Sequence, residues 1–178
     1  MKKVLFIFLL LFTSLTSFCQ GLKLKNALVI GQFDKPEDRY AMEVNVTEIL
    51  NNVGIKALPS LNILKQGNPA SNLVLDSIRN IIKNKGYDTY VIVNVRGYDR
   101  KFKPSESKVN FDEMLNRASL YHIYRDEATS VSFEFTFFRN NEVIYRDILR
   151  CGNISNRDTV IKKFRKKLPK QIEKHWKS

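Results

Sequence analysis

Short apolar runs alternate with apolar stripes at helical spacing along most of the chain. Residues 27–33 (ALVIGQF) form a continuous apolar run, the pattern of a buried strand. Asp34, Pro36 and Glu37 follow, a helix-start signature. Met42, Val46, Ile49, Leu50 and Val53 then recur at helical spacing, and Gly54 stands where a C-terminal cap belongs. Residues 55–61 read as a second short strand broken by Pro59. Proline cannot donate to a ladder, so this strand belongs at a sheet edge.

Residues 65–72 hold Gly, Pro, Ser and Asn and predict a loop. A second helix is expected over 73–85, with Val74, Leu75, Ile78, Ile81 and Ile82 on its inner face and Gly86 ending it. Residues 89–95 (TYVIVNV) are apolar and β-branched, the clearest strand of the chain. Residues 99–129 read as an insertion: 99–108 is charged and holds Pro104, 112–118 suits one short helix, and 120–124 suits the start of a strand. Over 130–138 the alternation is clean: Val131, Phe133, Phe135 and Phe137 on one face, Ser132, Glu134 and Thr136 on the other. Asn140 and Asn141 suit a tight hairpin turn, and residues 142–149 return as the partner strand.

The chain closes with a helix over 157–176. Stepping about 100° per residue from Ile161, Phe164, Leu168, Ile172 and Trp176 stay in one stripe. Lys162, Lys163, Lys166, Lys167, Lys170, Lys174 and Lys177 fall on the opposite side. Pro169 lies inside the pattern and predicts a kink or an interruption.

The order βαβαβ, insertion, ββ, α predicts one α/β domain with a mixed sheet. Right-handed crossovers make 2-1-3-4-5 the simplest strand order. About three helices accompany the five strands.

The amino terminus changes this picture. Lys2 and Lys3 precede a nine-residue apolar run, Val4 to Phe12, and then small residues at Ser14, Ser17 and Cys19. That is the layout of a secretory signal peptide over residues 1–19. The run is too short to span a bilayer, which takes about 20 apolar residues. Two cuts are open. Cleavage after Cys19 leaves Gln20 first. Alternatively Cys19 carries lipid as the first residue of a lipoprotein, although Phe18 stands where a lipobox has a small residue. Residues 20–178 then form the α/β domain of an exported protein, periplasmic or envelope-bound, with no further membrane-spanning segment.

Charge adds a second constraint. The formal net charge of +12 falls to +10 once Lys2 and Lys3 are removed. Export sets nucleic acid aside as the partner of that charge, and no base-stacking aromatic pattern accompanies the lysines. Envelope proteins and anionic lipid headgroups remain. Cys151 is the only cysteine left, so an internal disulfide is excluded, and it reads as a small buried residue on a strand.

Candidate chemistry is sparse. His122 and His175 have no ligand-spaced neighbours, so no metal site is expected. There is no nucleophile elbow, no dinucleotide fingerprint and no P-loop, and no cofactor is implied. The carboxylates Glu37 with Asp38 and Asp112 with Glu113 sit where helix starts favour acids. The better-placed candidate is the topological switch point, at the carboxyl ends of the first and third strands. There Gln32, Asp34, Arg39, Arg96, Tyr98 and Arg100 form a rim suited to an anionic or polar ligand.

Four passages carry a resemblance: the first strand ALVIGQF, then EILNNVGIKALPS, then IRNIIKNKGYDTYVIVNV, and the late hairpin VSFEFTFFRNNEVIYRD before a closing helix. They resemble uncharacterised bacterial envelope proteins, many of them lipoproteins, with an α/β domain similar to the TolB amino-terminal domain and the CsgG core. Residues 99–129 match no pattern of that group. Export, surface charge and this resemblance together point to an envelope protein acting as a non-enzymatic binding or assembly module. The alternatives are a small periplasmic hydrolase using carboxylates or His122, and a lipid-headgroup-binding protein using the lysine face.

Overall fold

A computed structural model of the chain describes residues 22–64, 68, 70–97, 130–154 and 156–177. Strand β1 (Asn26–Gln32) leads into helix α1 (Pro36–Asn52) and strand β2 (Lys56–Pro59). Two 3-10 turns, Ser60–Asn62 and Ala70–Val74, precede helix α2 (Asp76–Asn84) and strand β3 (Thr89–Gly97). Strands β4 (Ser130–Arg139) and β5 (Glu142–Gly152) form the hairpin, and helix α3 (Arg157–Gln171) runs on into a π-helical turn, Ile172–Trp176.

The sheet order is β2-β1-β3-β4-β5, as the alternation of strands and helices implies. The β1–β2 and β1–β3 pairs are parallel, and β3–β4 and β4–β5 are antiparallel. A parallel sheet needs both faces covered. Helices α1 and α3 cover one face over Val29, Val46, Leu50, Val93, Phe135 and Leu168. Helix α2 and the 3-10 turns cover part of the other over Leu28, Ile30, Leu73, Ile82, Ile92 and Phe138. Each helix follows a strand that runs away from the ends at which β1, β2 and β3 begin. All three helices therefore return toward that end, here called the entry end; the opposite end is the exit end.

The stripe of the last helix is what locks it to the sheet. Trp176 meets Phe135 and Phe137 edge-on, with centroids 4.9 and 4.8 Å apart, and Phe164 meets Phe133 at 5.0 Å. The Trp176 indole N–H donates to Asp147 Oδ2 at 2.7 Å, so the ring is buried without an orphaned donor. Truncating one such ring costs about 3–5 kcal/mol.

Several expectations are adjusted. Pro169 does not interrupt α3, because the backbone continues helically through it. Three residues later the helix widens into the π turn, in which the Lys177 N–H donates to the Ile172 carbonyl. The second helix starts at Asp76 rather than Leu73, since Leu73 and Val74 belong to a 3-10 turn. Nine residues are too few to bury the whole predicted face: Ile82 is buried, but Leu75 and Ile81 stay 52% and 44% exposed. Strand β2 stops at Pro59, at the sheet edge as predicted. The alternation of β4 holds, but Ser132, Glu134 and Thr136 are as buried as the phenylalanines. Asn140 and Asn141 take the positive φ angles of the hairpin turn, 52° and 66°.

Candidate functional site

The predicted rim at the exit end divides once side chains are in place. Arg39 is held rather than free. Its Nε donates to Glu43 Oε1 at 3.0 Å, one Nη to Ser60 Oγ at 3.0 Å and the other to the Asn68 carbonyl at 3.2 Å. Glu43 is fully buried and accepts three further bonds, from the Gly31 N–H at 3.0 Å, Ser60 Oγ at 2.7 Å and the Leu61 N–H at 3.0 Å. A buried carboxylate is tolerated only when its lone pairs are filled this way. The network ties α1 to the exit ends of β1 and β2.

Gly31 is part of the same lock. A Cβ there would lie 3.1 Å from the Arg39 carbonyl and 3.2 Å from Glu43 Cγ. Any side chain there would press α1 away from β1 by a few tenths of an ångström.

Arg96 is likewise committed. Its Nη1 lies 2.8 Å from Glu134 Oε2, and Glu134 is 1% exposed. The register sets Gln32 opposite Asn94 and Asn94 opposite Glu134, one polar row across three strands. Asn94 Oδ1 and Thr136 Oγ1 are buried with no hydrogen-bond partner among the described residues. Gln32 is half-buried and Asp34 is exposed. Tyr98 and Arg100 lie outside the described residues, as do the insertion, Asp112, Glu113, His122 and Cys19.

Glu43, Ser60 and Glu134 are buried polar residues of these networks that sequence reading did not assign to the rim. Glu43 did leave a signal: on a helical wheel it lies beside Val46 and Leu50, on the apolar side of its own helix. Near this network Asp38, also buried, faces Arg157 at 3.4 Å. No group of three or more His, Cys, Asp or Glu able to hold a metal occurs among the described residues.

The lysine face separates into two sets. Lys162, Lys166 and Lys170 are exposed and make no hydrogen bond or ion pair among the described residues. Lys167 is turned to the sheet edge, and its Nζ donates to the Arg150 carbonyl at 2.8 Å. Gln171 Nε2 donates to the Ile148 carbonyl at 3.0 Å. These two side chains occupy acceptors along the outer edge of β5. At the other edge, the Asn51 amide both accepts from the Ala57 N–H at 2.8 Å and donates to its carbonyl at 3.3 Å. Both sheet edges are thus partly closed against strand addition.

Lys163 is half-buried, and with Lys167 it lies near Cys151. Cys151 is fully buried on β5, as expected. Burial pushes its thiol up to about 11, against a smaller downward pull from Lys167 and Lys163. A thiol so placed stays protonated and inert at neutral pH. Arg165, on the flank of α3 toward α1, makes a two-pronged pair with Glu48 at 2.8 Å on each oxygen. Its hydrogen bond holds the Glu48 carboxyl below the ordinary carboxylate range. Lys174 is exposed on the last turn.

Among the described residues no helix is long and apolar enough to cross a membrane. No protein-family model matches the chain, and a search of curated proteins returns no match. Solved structures give a fold-level likeness. Lipoprotein GNA1162 from Neisseria meningitidis has a TM-score of 0.46 and 12% identity, over 84% of this chain and 96% of that one. A variant of PelC from Paraburkholderia phytofirmans, a dodecamer, has a TM-score of 0.44 and 11% identity, over 84% of this chain and 88% of that one. A second crystal form of the PelC dodecamer gives 0.42 and 12%, over 82% of each chain.

Proposed function

We propose that the chain is an exported bacterial envelope protein that works as a non-enzymatic binding module, and that it engages an anionic partner through the lysines of its last helix. The observation that supports this is how the charges are used. The buried carboxylates Glu43 and Glu134 are each consumed by an arginine and fixed in the fold. The exposed Lys162, Lys166 and Lys170 have no partner among the described residues. The same helix buries Phe164, Leu168 and Trp176, so its lysines are displayed on a rigid support. Such a field raises the local concentration of anionic partners and speeds their encounter. Export rests on the layout of residues 1–19.

The test is a joint replacement, Lys162→Gln, Lys163→Gln, Lys166→Gln, Lys170→Gln and Lys174→Gln, with binding to native envelope measured by sedimentation and cross-linking. Binding is expected to fall at least tenfold and to weaken with salt in the unmodified protein. Unchanged capture by the five-lysine variant contradicts the reading.

A further inference from the structure

Helices α1 and α3 lie side by side on one face of the sheet, and three contacts fix how they align. Arg157 Nε reaches Asp38 Oδ1 at 3.4 Å. Ala41 and Ile161 line one small cleft. Arg165 bonds Asn45 Oδ1 at 2.6 Å and Glu48 Oε2 at 2.8 Å. Residue numbers rise in step along both helices, so the two run parallel. Tyr40 and Val44 of α1 are therefore level with the stretch of α3 around Lys162.

Stepping about 100° per residue gives the sides turned away from the sheet. On α1 these carry Tyr40 and Val44, one turn apart and 60% and 36% exposed. On α3 they carry Lys162 and Lys166, both exposed and making no hydrogen bond or ion pair among the described residues. The ridges are about 10 Å apart, the spacing of packed helices. Between them Glu48 and Arg165 neutralise one another. The other exposed large apolar side chains among the described residues lie elsewhere: Leu75 and Ile81 by α2 on the opposite face, Ile144 beside the hairpin turn.

The charge pattern of this face selects among anionic partners. Its margin at the exit end carries two exposed acids, Glu37 and Asp158, in the first turns of the two helices. A uniformly negative layer, whether of headgroups or of an acidic polysaccharide, would be drawn to the lysines and repelled by these acids on the same face. A protein surface is patterned. It can set carboxylates opposite Lys162 and Lys166, leave the acids uncontacted and bury Tyr40 and Val44 in an apolar contact. An aromatic centre beside a charged margin is also how protein interfaces are built, with tyrosine among the residues that contribute most.

We infer that the outward face of α1 and α3 docks an acidic protein, with Tyr40 and Val44 as the apolar anchor and Lys162 and Lys166 as the charged margin. The inference rests on the anionic-partner reading and narrows that partner to a protein.

The experiment compares the unmodified protein with two variants, Tyr40→Ser with Val44→Ser, and Lys162→Gln with Lys166→Gln. Circular dichroism melts confirm that both fold. Each is sedimented with native envelope, with the same envelope digested by protease, and with vesicles of lipid extracted from it, at low and physiological salt. The expected result is binding to native envelope that falls at least tenfold on digestion and is absent on the vesicles. The serine pair weakens it at least fivefold at either salt. The glutamine pair weakens it and flattens its salt dependence. Unchanged binding by the serine pair, with the glutamine pair still impaired, overturns the docking face and spares the anionic-partner reading. Equal binding to digested envelope or to vesicles overturns the protein partner. No binding to any target, or unchanged binding by both variants and by the five-lysine replacement, overturns both.

Discussion

The exit and entry ends of one sheet use charge in opposite ways. At the exit end Arg39 and Glu43, Arg96 and Glu134, and Arg157 and Asp38 are paired at 3.0, 2.8 and 3.4 Å, with the acid of each pair buried. At the entry end Lys23, Lys25, Lys85 and Lys174 are exposed. The first kind of charge holds elements in register. Desolvating it would cost more than it returns if one partner were lost. The second kind, lying in water, contributes little to folding. A charged residue near a strand end is therefore no pointer to a ligand until its burial and partners are known. Substitutions of the buried pairs at the exit end should cost stability, and substitutions of the exposed lysines should leave it nearly unchanged.

The largest effect is expected from Glu43→Ala. It leaves the Gly31 and Leu61 N–H groups unpaired and Arg39 without its carboxylate, so chemical denaturation should show a loss of about 3–5 kcal/mol. A loss below about 1 kcal/mol would mean that Arg39 and Ser60 re-pair with solvent and the network is peripheral. Gly31→Ala comes next. Its Cβ would press on the Arg39 carbonyl and Glu43 Cγ, at a cost of about 1–3 kcal/mol.

Cys151 gives a pH test of the exit-end interior. Its thiol is raised from an ordinary value of 9.0 to about 11 by burial. Between those values the unfolded chain has released the proton and the folded chain has not. Stability should therefore fall as pH rises from about 9 to 11, by up to about 2 kcal/mol. Comparison with Cys151→Ala isolates this from the titration of lysines and tyrosines. Identical slopes in the two proteins would show that the thiol reaches solvent.

Smaller still is Lys167→Ala, which opens one acceptor of the β5 edge and should cost under about 1 kcal/mol. Its sharper readout is a rise in concentration-dependent self-association, since that edge is then less protected. Replacing Lys23 and Lys25 should move stability by less than about 0.5 kcal/mol.

The fold was readable because local patterns agreed with one another. The apolar run 27–33, the stripe from Met42 to Val53 and the Phe133–Phe135–Phe137 alternation each had one period, and the sheet order followed from chirality rules. The rim was less readable. Gln32, Asp34, Arg39 and Arg96 could be listed from the strand ends, yet sequence carries no sign that Arg39 and Arg96 are consumed by Glu43 and Glu134. Those pairings join residues 4 and 38 positions apart, and the second depends on strand register across the sheet. The lysine face was visible as helical periodicity. Its division was not, because the turn of Lys167 onto the Arg150 carbonyl depends on how α3 lies over the β5 edge. Nor could spacing reveal that residues 22–24 bond to the last turn, since the two segments lie at opposite ends of the chain.

The most direct measurement places an environment-sensitive fluorophore on each face of the sheet in turn, in a Cys151→Ala background. One probe is attached through Glu173→Cys on the last turn beside the lysines, the other through Ser77→Cys on α2, over the opposite face. Both proteins are bound to native envelope, and the emission of each is compared with that of the free protein. If the lysines of the last helix are the contact surface, the probe at position 173 shifts and the probe at position 77 does not. A shift at position 77 with none at 173 would contradict the account.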